Sequence, residues 1–292
     1  MIETSEQVAV GSALADVSTF PVAARGAIFL QALRDNLPGI LAWGAGYSAL
    51  LGVVTALYPI LQENNTLLGV VRGLGLLGIG DSIINLQTVT SYAGYLALQA
   101  TSWGPLILSV YLIPQTLNVV AREEERGTLD ILLSTPLPRW RFLVEKTLAV
   151  VASLLGILLI MWLALVLSIN LVAVDDFTVA NATAGIWHMI PISLTIIAAT
   201  LLLSVSTRSA RSAGGLAALF VLASYFVRAI NDLIDGVPLL DWLNGFSIFS
   251  YYRSLTVLVN GVQWAYDALL LAVAAALFAL ALWQFQRRDL GV

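Results

Sequence analysis

Residues 121–146, AREEERGTLDILLSTPLPRWRFLVEK, hold ten of the chain's thirty-two charged residues in twenty-six positions. The whole chain of 292 residues is 59% hydrophobic and only 11% charged, about half the charge that a soluble domain carries. This composition indicates an integral membrane protein, in which a dense group of charges marks a loop outside the bilayer. The apolar stretches on either side of this loop are therefore candidates for membrane spans.

The overall charge and the residue types exclude several classes of function. The net charge is −4, whereas a surface that binds nucleic acid is basic. With no cysteine, the chain has no disulfide framework, no thiol nucleophile and no thiolate metal site. We expect neither a catalytic residue nor a metal site. The first thirty residues lack a basic start followed by an apolar core, so no cleaved signal peptide is expected.

Six stretches are long and apolar enough to cross roughly 30 Å of hydrocarbon as helices. They are residues 37–61, 103–121, 147–174, 186–206, 213–230 and 264–284. Residues 66–80, TLLGVVRGLGLLGIG, are left out because the stretch is short, has Arg72 near its middle and carries five glycines, which are costly inside a helix. The sequence therefore predicts an all-α, polytopic membrane protein with six transmembrane helices.

The basic residues predict the orientation of these spans. Six spans put both termini on one side, together with the loop between spans two and three, and that side collects eleven of the fourteen Lys and Arg residues. Basic residues are enriched on the cytoplasmic side of membrane proteins. Both termini and the charged loop are therefore predicted to be cytoplasmic in a multi-pass protein of the plasma membrane. Residues 62–102 and 231–263 would then form outer segments.

Neither an ion pathway nor an energy source is visible in the sequence. No predicted span has Asp, Glu, Lys or Arg near its centre, where ion-driven transporters keep such groups. No phosphate-binding loop of the pattern G-x-x-x-x-G-K-[ST] occurs, so uphill transport would need energy from another polypeptide.

The only histidine, His188, lies at the outer end of span four and is predicted to be an interfacial residue. A remote alternative is an intramembrane hydrolase in which this histidine activates a serine. No G-x-S-x-G motif occurs to support that alternative,.

The charged loop has the features of a short helix followed by a rigid turn. Acidic residues at its start suit the helix dipole, and Pro136 and Pro138 disfavour helix for the residues that precede them. Arg139 and Lys146 are then predicted to anchor the start of span three at the lipid headgroups. The loop could be a solvated interfacial segment or a docking site for a protein. Three consecutive glutamates favour a docking site for a protein, because anionic lipid attracts basic segments and not acidic ones.

The stretch REEERGTLDILLSTPLPRWRFLVEK resembles the signature of the type-2 ATP-binding-cassette (ABC-2) transporter permeases, nearly residue for residue over about twenty-five positions. Residues 242–261, WLNGFSIFSYYRSLTVLVNG, are similar to the aromatic segment before the last span of that family. The six-span layout also resembles the family, as does an amphipathic stretch before span one, residues 17–36. The resemblance implies a cytoplasmic N-terminal segment with an amphipathic helix at residues 1–36 and a permease domain at residues 37–292.

The resemblance implies an exporter permease that is not itself an enzyme and holds no cofactor. A separate nucleotide-binding ATPase subunit would bind ATP and Mg, and a second permease subunit, identical or different, would complete the assembly. The loop between spans two and three would be a coupling helix docked on the ATPase. Its docking residues would be Glu123, Glu124, Glu125, Arg126, Gly127, Thr128, Leu129 and Asp130. Pro136 and Arg139 would shape its exit, and Arg208 and Arg211 would form a secondary cytoplasmic contact.

A polar stripe on span two is the candidate translocation path. Tyr111, Gln115 and Asn118 recur at spacings of three and four, which places them on one helix face. The same spacing fits a hydrogen-bonded seam between helices, and the sequence does not separate the two. A charge-free interior favours an amphiphilic or hydrophobic cargo. A membrane scaffold or sensor that binds an ATPase without transporting is a further alternative.

Overall fold

The fold is a bundle of helices. The computed structural model describes residues 26–63, 91–125, 127, 138–172, 174, 177–207, 209–234 and 236–287, and these residues contain no β-strand. In chain order the α-helices of the described part are α1 Ala27–Glu63, α2 Tyr92–Gln99, α3 Gly104–Leu117, α4 Ala121–Glu125, α5 Arg139–Val172, α6 Val179–Ser206, α7 Ala210–Leu233, α8 Pro238–Asn244, α9 Ser254–Asn260 and α10 Trp264–Arg287. Short 3-10 turns lie at Thr101–Trp103 and Ile248–Ser250.

Six of these segments are long and apolar enough to cross a membrane. Span one is α1, span two is α2 with α3, span three is α5, span four is α6, span five is α7 and span six is α10. This confirms the all-helical, six-span architecture predicted from hydropathy. The chain is therefore a multi-pass membrane protein.

Five of the six spans begin earlier than hydropathy predicts, and span six begins at Trp264 as predicted; at spans three and four, local capping rather than apolar content sets where the helix starts. Span three begins at Arg139, directly after Pro138, which has no N–H to satisfy and is pre-organised to open a helix. Span four begins at Val179 because Thr178 and Asn181 form a reciprocal capping box,.

Span one begins at Ala27 and so takes in the end of the stretch predicted as an amphipathic helix, residues 17–36. The earlier part of that stretch and most of the first outer segment, residues 64–90, lie outside the described residues. Span two starts at Tyr92 and turns through Thr101–Trp103 before α3. Part of the predicted outer segment therefore belongs to span two.

Span four is the centre of the bundle. It packs against spans two, three, five and six and against α9, and it is the most buried of the six spans. Within the apolar interior, the Thr195 hydroxyl donates to the Leu270 carbonyl of span six (3.0 Å). Such bonds hold span four to span six where apolar burial gives no driving force between helices in lipid.

Spans one and three pack closely through small residues. A Cβ on Gly44 would lie 2.7 Å from Ile160 Cδ1 and 3.1 Å from its Cβ, and a Cβ on Gly156 would lie 3.1 Å from Ile40 Cγ2. The two glycines thus accept isoleucines from the opposite helix. Asn36 Nδ2 adds a hydrogen bond to Ser153 Oγ of span three (3.1 Å).

Exposed tryptophans lie at both ends of the bundle. We call the end at which α4 lies the charged end, and the end at which α8 and α9 lie the opposite end. The exposed tryptophans are Trp140 and Trp283 at the charged end, and Trp103, Trp187, Trp242 and Trp264 at the opposite end. Tryptophan is enriched at the two membrane–water interfaces, so these side chains bound the apolar belt of the protein.

The close packing of spans one and three predicts that Gly44→Ala destabilises the bundle by about 1–2 kcal/mol, since the added methyl overlaps Ile160. The measurement is the thermal unfolding midpoint of the detergent-solubilised chain. Gly46→Ala is the matched control, because a Cβ at Gly46 meets nothing within 4 Å and alanine favours the helix. An equal loss from both variants would contradict the prediction.

Candidate functional site

Helix α4, the first part of the charged loop, is attached to the bundle at its first residue. The buried Ala121 N–H donates to Ser204 Oγ near the end of span four (3.1 Å). A free N–H at the start of a helix needs such an acceptor. The start of α4 is therefore fixed to span four, and α4 does not hang free from the end of span two.

A second attachment runs from α4 to span three. Lys146 Nζ donates to Glu123 Oε1 (2.6 Å) and lies 5.1 Å from the centre of the Phe142 ring. The Lys146 and Glu123 side chains are only 15% and 18% exposed, so water screens this pair less than an ion pair at the open surface. Lys146, predicted to anchor at the headgroups, instead binds the charged loop.

A third attachment runs from α4 to span five. Glu125 Oε1 accepts a hydrogen bond from the Ala210 N–H, at the first residue of span five (2.7 Å). A carboxylate at this place pairs with an otherwise unsatisfied N–H and with the positive end of the helix dipole. The five residues of α4 thus contact spans three, four and five.

Beyond α4 the chain turns at Gly127, whose φ of 68° lies in the left-handed region. Glycine adopts this conformation without the steric cost that other residues meet. Gly127 is exposed, and among the described residues no atom beyond its chain neighbours lies within 4 Å of the position its Cβ would take. The glycine is therefore explained by its backbone conformation.

The structure describes only part of the predicted docking set. Glu123, Glu124 and Glu125 lie on α4, Arg139 is the exposed first residue of span three, and Arg211 is exposed in the first turn of span five. Six other predicted residues lie outside the described part of the chain: Arg126, Thr128, Leu129, Asp130, Pro136 and Arg208. Ser204, Lys146 and the Ala210 N–H were not predicted as partners of the loop, since nothing in the sequence pairs residues this far apart.

The predicted polar stripe of span two leads directly into α4. Asn118 Nδ2 donates to Gln115 Oε1 (3.4 Å), and Arg122 Nη1 donates to Asn118 Oδ1 (3.1 Å). These bonds run along the chain rather than across to a neighbouring span. Tyr111 is buried instead, with its ring 6.0 Å from the Trp43 ring of span one.

His188, which the sequence predicts to be interfacial, lies inside the protein between spans four and six at the opposite end of the bundle. The side chain is completely buried, with Nδ1 2.5 Å from Asp267 Oδ1 of span six. Its Nε2 accepts a hydrogen bond from the Arg253 N–H (3.0 Å). Hydropathy treats each residue alone, whereas pairing with Asp267 is what makes burial of this imidazole possible.

The same geometry does not support the hydrolase alternative. A histidine that activates a serine accepts the serine proton on one ring nitrogen while a carboxylate orients the other. In His188 the nitrogen that would accept that proton is occupied by the Arg253 N–H. The pair therefore resembles a catalytic dyad in its carboxylate contact only.

The fold and the site define the chain as a six-span membrane protein whose loop between spans two and three is bonded into its bundle. A family model described as ABC-2 family transporter protein matches residues 43–290. The chain therefore belongs to the ABC-2 transporter family and is a permease of an ABC transporter, which confirms the resemblance found in the sequence. A comparison with curated proteins gives no match.

The Glu123–Lys146 pair predicts a charge-reversal rescue. Glu123→Lys places two cations together and leaves Lys146 without its acceptor, so we expect a loss of about 1 kcal/mol of stability. The double variant Glu123→Lys with Lys146→Glu restores the attraction and should recover most of that loss. The measurement is the unfolding midpoint at low and at high salt. If the double variant is no more stable than the single one, the pair does not hold α4 to span three.

Proposed function

We propose that this permease is the membrane-spanning subunit of an exporter that is driven by a separate ATPase docked at the charged end. The observation that carries the proposal is the threefold attachment of α4: a five-residue helix at the start of the proposed docking segment is bonded to spans three, four and five. A displacement of this helix acts on three spans at once. Family membership supports the proposal of a separate ATPase, since ABC transporters take their energy from ATP.

The charge distribution supports a cytoplasmic charged end in the plasma membrane. Among the described residues, Arg and Lys collect at that end: Arg34, Arg122, Arg139, Arg141, Lys146, Arg211 and Arg287. The opposite end has Arg228 and Arg253. An excess of basic residues on one side is typical of the cytoplasmic side, which is also where ATP is available.

The predicted docking residues are assigned two roles. Glu123 and Glu125 are bonded to spans three and five, so we assign them to transmission between the docked segment and the spans. For Glu124, Gly127, Arg139 and Arg211 we keep the ATPase contact that the resemblance to the family implies. Arg126, Thr128, Leu129, Asp130, Pro136 and Arg208 complete the proposed contact from outside the described part.

Transport would follow alternating access between two arrangements of the spans. The partner ATPases would hold ATP and Mg, and their closure on the nucleotide would draw the docked segments together. The Glu123–Lys146 pair moves span three, while the bonds at Ser204 and Ala210 move spans four and five. A second permease, identical or different, completes the path. The polar face of Gln115 and Asn118 on an otherwise apolar helix suits an amphiphilic cargo.

Gly127 predicts a backbone-specific effect on ATPase binding. Gly127→Val forces a β-branched residue into the left-handed region at a cost of about 1–2 kcal/mol, which corresponds to roughly tenfold weaker retention of the ATPase. Gly127→Asn should retain more of it, because asparagine tolerates this conformation. The measurement is the ATPase-to-permease ratio after gentle co-purification and mass spectrometry. If no ATPase co-purifies with the unaltered permease, the proposed function fails.

Glu125 predicts a loss of coupling without a loss of binding. Glu125→Ala removes the acceptor for the Ala210 N–H, at a cost of about 1 kcal/mol, so span five should stop following the docked ATPase. Because the chain has no cysteine, spin labels on Val110→Cys and Leu219→Cys report the distance between spans two and five without background. We expect the ATP-dependent change in that distance to disappear while the ATPase stays bound.

Glu125→Gln is the matched control, since its amide oxygen can still accept from Ala210. It should keep a larger part of the distance change than Glu125→Ala.

A permease that acts only as a scaffold or sensor would show no ATP-driven transport although its ATPase binds. An unchanged distance response in Glu125→Ala would contradict the transmission role of this residue.

A further inference from the structure

Spans one and two enclose a groove at the middle depth of the bundle. The groove has a volume of about 260 Å³. Its lining residues are Ala42, Trp43, Gly46, Tyr47 and Leu50 of span one and Ile107 of α3. None of these residues is charged, so the groove offers an apolar surface.

Two contacts between spans one and two bracket the groove. Toward the opposite end, the Tyr47 hydroxyl donates to the Ala100 carbonyl (2.8 Å). Toward the charged end, the Trp43 ring lies 6.0 Å from the Tyr111 ring. Between these contacts Gly46 brings no side chain to the space, and α3 itself packs against spans four and five. The sequence of span one therefore produces the groove.

The groove opens on the apolar surface that faces lipid. Gly46 and Leu50 are exposed on span one, and Val110 is 62% exposed on α3. Span one continues from Leu50 to Glu63, thirteen positions further, or about 20 Å at the rise of an α-helix. The groove is therefore continuous with the lipid-facing belt and far from the point where the first outer segment begins.

The face of α3 that carries Ile107 also carries the polar stripe. Gln115 and Asn118 follow Ile107 by eight and eleven positions, which places all three on one side of the helix. Asn118 is bonded to both Gln115 and Arg122. A glutamine amide has two N–H donors and a guanidinium has five, so these side chains can donate to phosphate oxygens while their internal bonds remain.

The distance from the polar stripe to the groove matches one leaflet of a bilayer. Ile107 and Asn118 are eleven positions apart, about 16 Å at the rise of an α-helix, and half of the hydrocarbon core is about 15 Å thick. A lipid with its phosphate at the level of Asn118 would therefore reach the groove with its acyl chain. Apolar burial gives little driving force in lipid, so selectivity would come from the headgroup bonds and from the shape of the groove.

We propose that this face binds a phospholipid of the charged-end leaflet. Its phosphate accepts from Gln115, Asn118 and Arg122, and one acyl chain lies in the groove between spans one and two. An amphiphile of this class is then the cargo of the permease, a role that rests on the proposed function. Binding alone requires neither an ATPase nor ATP.

Photolabelling of the full chain in lipid nanodiscs, without an ATPase, tests the binding site. The probe is a phosphatidylglycerol with a diazirine at the end of one acyl chain, and mass spectrometry locates the labelled residues. We expect Leu50 and Ile107 to be labelled more than Leu159 of span three. Leu159 is 56% exposed and lies at a similar depth, because the adjacent Ile160 packs against Gly44.

Two substitutions test the two parts of the site. Gly46→Phe places a ring in the groove and should remove most of the labelling of Ile107. Ala45→Phe is the matched control, since Ala45 is exposed and does not line the groove. Arg122→Gln should lower labelling by the phosphatidylglycerol but not by a diazirine diacylglycerol, which has no phosphate. Arg122→Lys should retain more labelling than Arg122→Gln.

Several results would overturn the binding site. They are equal labelling of Ile107 and Leu159, labelling that Gly46→Phe leaves unchanged, and equal loss of both probes in Arg122→Gln. A groove covered by another part of the chain or by a second permease would not be labelled, which would also overturn the proposal. If Gly46→Phe does not fold, the ratio of Ile107 to Leu159 in the unaltered chain decides.

The cargo role has a separate readout. With the ATPase bound, Gly46→Phe should slow the ATP-driven transfer of a fluorescent phosphatidylglycerol across a vesicle bilayer, whereas Ala45→Phe should not. Unchanged transfer in Gly46→Phe would overturn the cargo assignment. If the groove is labelled as expected and no ATPase co-purifies, the proposed function fails and the phospholipid site stands.

Discussion

Span four is the element on which the rest of the bundle depends. It packs against four other spans, and its two ends hold the two polar contacts that organise the ends of the molecule: Ser204 fixes the start of α4, and His188 binds Asp267. Ser204 and His188 lie sixteen positions apart in one continuous helix, about 24 Å at the rise of an α-helix. A displacement of α4 therefore acts on the same helix that carries His188 of the buried pair.

The charged residues of the loop between spans two and three show how an isolated sequence feature becomes part of a fold. Ten charges in a short stretch suggest a solvated segment, yet Glu123 and Glu125 are bonded to other spans. Each bond satisfies a polar group of another span. Glu123 pairs with Lys146, which is mostly shielded from water, and Glu125 accepts from the first N–H of span five,. The loop is attached because spans three and five need acceptors there, and in the proposed cycle the same bonds transmit movement.

Much of the fold follows from the sequence because a bilayer imposes simple rules. Six apolar stretches predict the number and order of the spans, and the described helices match them. The partners of individual polar residues do not follow. Glu123 and Lys146 are 23 positions apart and His188 and Asp267 are 79 apart, and periodicity relates only residues within one helix. The helix starts set by Pro138 and Thr178 were also missed, because capping residues lie outside the apolar stretches that predict the spans.

The two ends of the bundle differ in how freely they can rearrange. At the charged end, Glu125 is exposed overall, so water can replace its bond to the Ala210 N–H at little cost when α4 moves. At the opposite end, His188 and Asp267 are almost completely buried, and separating them would leave polar atoms without partners in an apolar interior. The Glu125 bond is therefore the attachment of α4 that adjusts most easily, whereas the Glu123–Lys146 pair and the Ala121–Ser204 bond are shielded from water. The buried pair therefore favours movement of spans four and six as one unit at that end.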